Sequence, residues 1–166
     1  MKIIASSKVY DQFANEYDNW FEKHSNLYQS ELLAMKQVIP QNKIGIEIGV
    51  GTGRFAEPLG IKYGVEPSAS MAELAKQRGI KVFNAIAENL PIETQSYDFA
   101  TMVTTVCFLN NIPKAFAEVH RILKPGEDAG SHRTPDLPSS CTTLFDVAHG
   151  QVIAVSLSCR RAVHAV

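Results

Sequence analysis

Apolar residues recur at helical intervals through residues 6–39, among them Val9, Phe13, Tyr17, Trp20 and Phe21, and the segment contains neither Gly nor Pro. This spacing predicts two amphipathic helices, broken near Ser25-Asn26 and stopped by Pro40. From residue 44 the period changes. IGIEIGV reads as a short strand ending in glycines, GRFAEPLG as a short helix, IKYGVEP as a strand, SASMAELAKQRG as a helix and IKVFNA as another strand. Ser68 or Ser70 can cap the helix at 68–78, and Gly79 can end it in the left-handed conformation. After a turn at AENLPIETQS, the run YDFATMVTTVCFL is apolar enough for a strand covered on both faces. An amphipathic helix follows in IPKAFAEVHRILKPG, ended by Pro125-Gly126. Strands alternating with helices imply parallel strands with crossover helices, hence an open α/β sheet whose ligands lie beyond the carboxyl ends of the strands.

The pattern then lapses. EDAGSHRTPDLPSSCTT reads as loop, and only HGQVIAVSLS suggests another strand. All ten lysines lie in residues 1–126, whereas Cys141, Cys159, His132, His149 and His164 fall in the last 40 residues. At 166 residues the chain has room for a single core and little beyond it. A net charge of -1 offers no field for capturing nucleic acid or an acidic membrane. No apolar run is long enough to span a bilayer, and the apolar start is shorter than a signal peptide's, so the expected location is cytoplasmic. Three cysteines without C-x-x-C spacing argue against a disulfide framework and a zinc site, and read as isolated thiols.

The candidate chemistry sits at IEIGVGTGRF. A glycine-rich turn between strand and helix lets a ligand approach bare backbone. A dinucleotide fingerprint would space its glycines G-x-G-x-x-G to receive a pyrophosphate. Gly49, Gly51 and Gly53 place the third glycine one residue early, and Glu47 would repel a phosphate, so the ligand is expected to be cationic there. Glu66, at the end of the next strand, can accept hydrogen bonds from vicinal ribose hydroxyls; the alternative is a solvated carboxylate.

The ordered set of motifs resembles a known family. Glu47 to Gly53 has the form E-x-G-x-G-x-G and resembles motif I of the class I S-adenosylmethionine-dependent methyltransferases. GVEPSASM looks like their second motif, AENLPIETQSYDFATMVTTVCFLNN like the segment after it, and AFAEVHRILKPG like the helix before their fifth strand. YDQFANEYDNWF is similar to the family's N-terminal cover helix, and the nearest group is the methyltransferase type 11, ubiquinone/menaquinone-biosynthesis-like one, over residues 8–126. The resemblance implies a Rossmann-like, mainly parallel sheet with helices on both faces. It divides the chain into cover helices at 1–42, a cofactor-binding core at 43–126 and an atypical tail at 127–166.

It also implies S-adenosylmethionine as cofactor. Gly49, Gly51 and Gly53 would pass under its methionine part, with Glu47 near the ammonium, directly or through water. Glu66 would hold the ribose, and Pro67 and Ser68 follow it. Met71 would either pack on the adenine or belong to the core. Ala87 and Glu88 would address the adenine edge, through a backbone N–H and an acceptor for the exocyclic amine. Thr104 would either face the cofactor with its hydroxyl or simply pack, and Thr105 would point the other way along a regular strand. Tyr10 and Tyr17 would either close over the cofactor or pack as lid and core.

The implied reaction is in-line transfer of a methyl group to a small-molecule acceptor, without nucleic acid and without a membrane span. An activated sulfonium needs chiefly positioning and exclusion of water, so no catalytic residue is assigned. His120 reads as a surface residue of its helix, and His24, at the end of the cover helix, has no partner nearby in sequence. The tail departs from the family, in which L-K-P-G-G leads straight into a fifth strand. Here Leu123-Lys124-Pro125-Gly126 runs into Glu127-Asp128-Ala129-Gly130. We therefore expect the C-terminal strands to be truncated or replaced, through a truncated or frame-shifted and partly disordered ending, or through a shortened variant in which VIAVSLS takes a missing strand's place. The fourth strand is then expected to lose its neighbour and expose a pairing edge. Two further readings stand beside the enzyme: an inactive cofactor-binding module, suggested by the tail, and an NAD-dependent oxidoreductase, opposed by Glu47 and the glycine spacing.

Overall fold

The computed structural model describes the backbone of residues 3–125, 146–147 and 150–155, and side chains over residues 10–125. The expected loop at EDAGSHRTPDLPSSCTT and the frame-shifted or disordered ending fall almost wholly outside these residues.

Two helices open the chain, α1 (Ile3–Lys23) and α2 (Ser25–Val38), with the break at His24, one residue before its expected place. α1 is also kinked at Phe13, where φ is -118° and ψ is 23°, a break that the apolar spacing does not signal. The remaining elements are β1 (Gly45–Ile48), β2 (Tyr63–Val65), α3 (Ala69–Gln77), β3 (Lys81–Phe83), β4 (Phe99–Val103), α4 (Ile112–Ile122), β5 (Asp146–Val147) and β6 (Gly150–Val155). The strands form one sheet in the order β3-β2-β1-β4-β6-β5. All neighbours run parallel except β5, which is antiparallel to β6. This is the expected Rossmann-like open α/β sheet. Its strand order reverses between β1 and β4, the place where such sheets bind ligands.

Two apolar layers cover the sheet. Ile46, Ile48, Ala100 and Met102 pack with Ala115, Val119 and Ile122 of α4 on one side. On the other, Phe21 of α1 and Leu32, Met35 and Ile39 of α2 and its end pack with Phe55, Ile61, Ala75, Phe99 and Val103. The N-terminal helices thus share a core with the sheet. Four-residue β1 is buried along its whole length, Glu47 included.

Three elements differ from expectation. GRFAEPLG forms successive turns instead of a helix, although Glu57 N–H reaches Gly53 carbonyl at 3.0 Å and Leu59 N–H reaches Phe55 carbonyl at 3.2 Å. Pro58 has no N–H to give the Arg54 carbonyl, which accepts the Tyr28 hydroxyl instead. β4 stops at Val103, because Thr104 adopts φ 54° and turns the chain out of the strand. β6 pairs with β4 over five positions, from Phe99 opposite Gln151 to Val103 opposite Val155. β4 therefore has a neighbour, contrary to the expected open edge; residues 152–155 of the run VIAVSLS belong to it.

Candidate functional site

Gly49 and Val50 both donate from their N–H groups to the Val65 carbonyl, at 2.8 and 2.9 Å. The end of β1 is thereby fastened to the end of β2, and the glycine loop rises directly beside Glu66. Gly51 has φ 54°, a region costly for any residue with a side chain. A methyl group placed on it would stand 3.9 Å from Tyr17 and 4.0 Å from the Met71 sulfur, filling the space between them. Gly53 has a different duty. A methyl group there would press on Ile80 and on the Ala75 backbone at 3.3 Å, so this glycine lets the loop close against α3.

A single cavity collects Gly49, Gly51, Glu66, Pro67, Met71, Ala87, Glu88 and Thr104, eight of the ten residues singled out in the sequence. Glu47 and Gly53 stand outside its lining. Tyr10 and Tyr17 line it from α1, and Phe108 and Leu109 from beyond β4. Tyr10 bridges the two sides, with ring centroids 5.8 Å from Tyr17 and 5.7 Å from Phe108, both edge to face. Thr105 also lines the cavity, against expectation, because the strand ends before it and side chains no longer alternate. Its hydroxyl donates to the Val103 carbonyl at 3.0 Å.

The carboxylates are held differently. Glu66 is buried, with one oxygen accepting from Gly51 N–H and the other from Ser68 N–H, each at 2.9 Å. Each oxygen retains lone-pair capacity for a further donor. Burial raises its pKa, the Ser68 and Gly51 amides oppose that, and Asp11 adds to it. Glu88 accepts from Asn110 and Asn111 N–H through one oxygen, at 2.8 and 3.2 Å. Its other oxygen is buried without a partner. Glu47 is 2% exposed, and burial pushes its carboxyl up to about 8 despite the Ala56 amide.

Ser68 caps α3 by accepting from Met71 N–H at 3.3 Å. Met71 itself is buried and forms part of the cavity wall, so the alternatives of adenine platform and core residue coincide in one side chain. The turn bearing Ala87 and Glu88 is fixed by α4. Glu118 accepts from Leu90 N–H at 2.8 Å, while Arg121 donates to the Ile92 and Leu90 carbonyls at 2.7 and 3.0 Å. His120 is exposed, as expected; His24, expected to have no partner nearby in sequence, instead stacks on Trp20 one helical turn earlier, with ring centroids 4.3 Å apart. Cys107 is disulfide-bonded, which corrects the reading of three isolated thiols.

Comparison with known proteins decides the family. The model of the methyltransferase domain of type 11 matches residues 46–127. A crystal structure of an S-adenosylmethionine-dependent methyltransferase of Thermotoga maritima, described as a possible histamine N-methyltransferase, is 53% identical. It superposes with a TM-score of 0.69 over 72% of this chain and 57% of its own. Over residues 46–127 the chain carries a class I S-adenosylmethionine-dependent methyltransferase domain. S-adenosylmethionine is the cofactor that this domain implies. Among curated methyltransferase relatives, the 2-phytyl-1,4-naphtoquinone methyltransferase of Nostoc punctiforme is 28% identical, over 73% of this chain and 57% of that protein. An uncharacterised protein of Methanocaldococcus jannaschii is 47% identical over 118 residues, 71% of this chain and 57% of the other. The chain thus spans little more than half the length of these relatives.

The lining fits the cofactor on three counts. Gly51 leaves room where any side chain would intrude, Glu66 keeps acceptor capacity, and the orphaned Glu88 oxygen awaits a donor. Sequence reasoning missed Phe108, Leu109 and Thr105, and it missed Asp11 and Asp18, which hold α1 in place. A signal for the last two was present: Tyr-Asp occurs at 10–11 and again at 17–18, seven residues on and therefore near the same face of a helix.

Proposed function

We propose that this methyltransferase chain binds S-adenosylmethionine in the cavity at the ends of β1, β2 and β4 and transfers its methyl group to a small-molecule acceptor. The observation that carries this reading is the convergence of Gly51, Glu66 and the unpartnered Glu88 oxygen on that one cavity. Glu66 holds the ribose hydroxyls, Glu88 accepts from the exocyclic amine of the adenine, and the Ala87 N–H addresses the ring edge. Pro67 and Met71 give the nucleoside an apolar wall. Gly49 and Gly51 lie under the methionine part, and Thr104 closes the end nearest β4. Glu47 and Gly53 act from behind the lining, Glu47 toward the ammonium through the loop or a water.

Once bound, the cofactor would supply a methyl group activated on its sulfonium sulfur, with S-adenosylhomocysteine as the leaving group when an acceptor atom bonds to the methyl carbon. The chain's own part is to position and to keep water out. Tyr10, Tyr17 and Phe108 do the latter, as an aromatic cover joined edge to face. A small acceptor is favoured over nucleic acid by the net charge of -1 and by the aromatic and aliphatic residues that line the cavity.

Calorimetric titration tests the assignment. S-adenosylhomocysteine is expected to bind with micromolar affinity and NAD not at all; binding of NAD alone would overturn it. Glu66→Gln keeps the shape and removes the charge, and is expected to weaken binding by about 1–3 kcal/mol. Unchanged affinity would remove Glu66 from the site.

A further inference from the structure

α1 carries two Tyr-Asp pairs seven residues apart, and the two kinds of side chain divide the work. Tyr10 and Tyr17 line the cavity, while Asp11 and Asp18 fasten the helix to opposite ends of α3. At the start of α3, Asp11 accepts from the Ser68 hydroxyl at 2.6 Å and from Ser70 N–H at 3.2 Å. At its far end, Asp18 accepts from Arg78 Nη2 at 2.8 Å. Ala14, between the two acids, is buried and small enough for close approach.

Asp18 does more than anchor a helix. Both its oxygens also accept from Arg54, from Nε at 2.9 Å and Nη2 at 2.6 Å, the paired geometry that suits a guanidinium and a carboxylate. Arg78 in turn donates from Nη1 to the Thr52 carbonyl at 2.6 Å. Thr52 and Arg54 flank Gly53, so one carboxylate of α1 is linked to the glycine loop through two arginines. The side chains of Asp18, Arg54 and Arg78 are only 14 to 20% exposed, so the ion pairs are weakly screened. None of the three lines the cavity.

We infer that Asp18 is a positioning residue for the cofactor site: it couples the docking of α1 to the shape of the glycine loop. The inference rests on reading the cavity as the S-adenosylmethionine site. Without the Asp18 charge, two guanidiniums stand close together with Glu22 and Glu57 as their remaining anions, and the Thr52 carbonyl loses its fixed donor. The loop then gains conformations that the ligand must exclude on binding, and Tyr17 is no longer fixed over Gly51. Affinity falls although no ligand contact has been removed.

The test uses the full chain and S-adenosylhomocysteine, with Trp20, the one tryptophan of the sequence, as reporter of α1. Asp18→Asn is expected to weaken binding about tenfold, within the usual range of coupling between two sites, and to make Trp20 more accessible to acrylamide quenching. Asp18→Glu, which keeps the charge, is expected to restore most of the affinity. A purely structural Asp18 predicts a lower melting temperature with unchanged affinity well below it, and that result overturns the inference. Should Asp18→Asn fail to fold, Arg78→Lys keeps the charge but cannot span Asp18 and the Thr52 carbonyl together. It is expected to bind several-fold more weakly, and wild-type affinity there is equally fatal. If the wild-type chain binds no S-adenosylhomocysteine, the cofactor-site reading fails instead; Trp20 quenching then decides whether α1 depends on the Asp18 charge, and unchanged quenching overturns that too.

Discussion

Glu47 lies on a fully buried strand, one residue before the end of β1, with an unpartnered oxygen. Its carboxyl holds its proton up to about pH 8 in the folded chain, against an ordinary value of 4.5. The sign follows from linkage. Between those pH values the unfolded chain has released the proton and the folded chain has kept it, so stability falls as pH rises and levels off above about 8. The slope for one such group is at most about 1.4 kcal/mol per pH unit. Glu47→Gln removes it, so the variant's stability relative to wild type should increase between pH 5 and pH 8 in urea unfolding. Parallel pH dependences in the two proteins would show that Glu47 is not the group responsible. Its neighbours Gly51 and Glu66 were legible in the sequence, because what they need is local: bare backbone in one case, a strand end in the other. The pairing of Asp18 with Arg54 and Arg78 was not, since it joins positions 36 and 60 residues apart and depends on how α1 lies on α3. Gly51→Ala tests the local argument. A methyl group there enters the cavity at a left-handed residue, and we expect S-adenosylhomocysteine binding to drop below detection in calorimetry, at a stability cost of about 1–2 kcal/mol.

Elements were legible where their signals agreed. α3 has its serine cap, its apolar spacing and Gly79 at φ 79°, and it lies where the sequence puts it. β4 and the turns after Gly53 were misread at their ends, because Thr104 and Pro58 act through single dihedrals and single missing donors that periodicity averages away. α4 shows how an element reaches the site without touching it. Its Glu118 and Arg121 pair at 2.8 Å and together bind the backbone of Leu90 and Ile92, holding the turn that carries Ala87 and Glu88. Arg121 hydrogen bonding and the Leu90 amide outweigh burial and hold the Glu118 carboxyl well below its ordinary range. The carboxyl's depressed pKa means that this contribution is present at neutral pH and is lost as pH falls through the acid range. Glu118→Gln keeps the shape and loses the charge, and should destabilise the chain by about 1 kcal/mol at pH 7 and by less near pH 3. An equal effect at both pH values would assign the loss to shape alone.

At the scale of the molecule the open question in the sequence was what lies beside β4. The fold class was readable from strand and helix alternation, and the reversal of strand order between β1 and β4 follows from two crossovers in opposite directions. The neighbour was not readable in the same way, because residues 127–149 break the alternating pattern and leave only a short β-type run to fill the place. β6 fills it in parallel register along all five residues of β4. β4 is buried throughout, so its backbone groups need partners on both sides. A chain ending at Lys124 would keep α1 to α4 and lose β5 and β6, exposing one row of N–H and C=O groups beside Met102 and Val103. We expect that shortened chain to self-associate with increasing concentration in light scattering, while the 166-residue chain does not under the same conditions. Monodisperse behaviour of both, with equal thermal stability, would mean that β6 contributes little to the sheet. The cofactor site makes the outcome informative in a second way, because its described lining comes from residues 10 to 109. If the shortened chain still binds S-adenosylhomocysteine at low concentration, the cofactor half of the enzyme is independent of the sixth strand, and the role of the C-terminal residues is to protect an edge rather than to build that pocket.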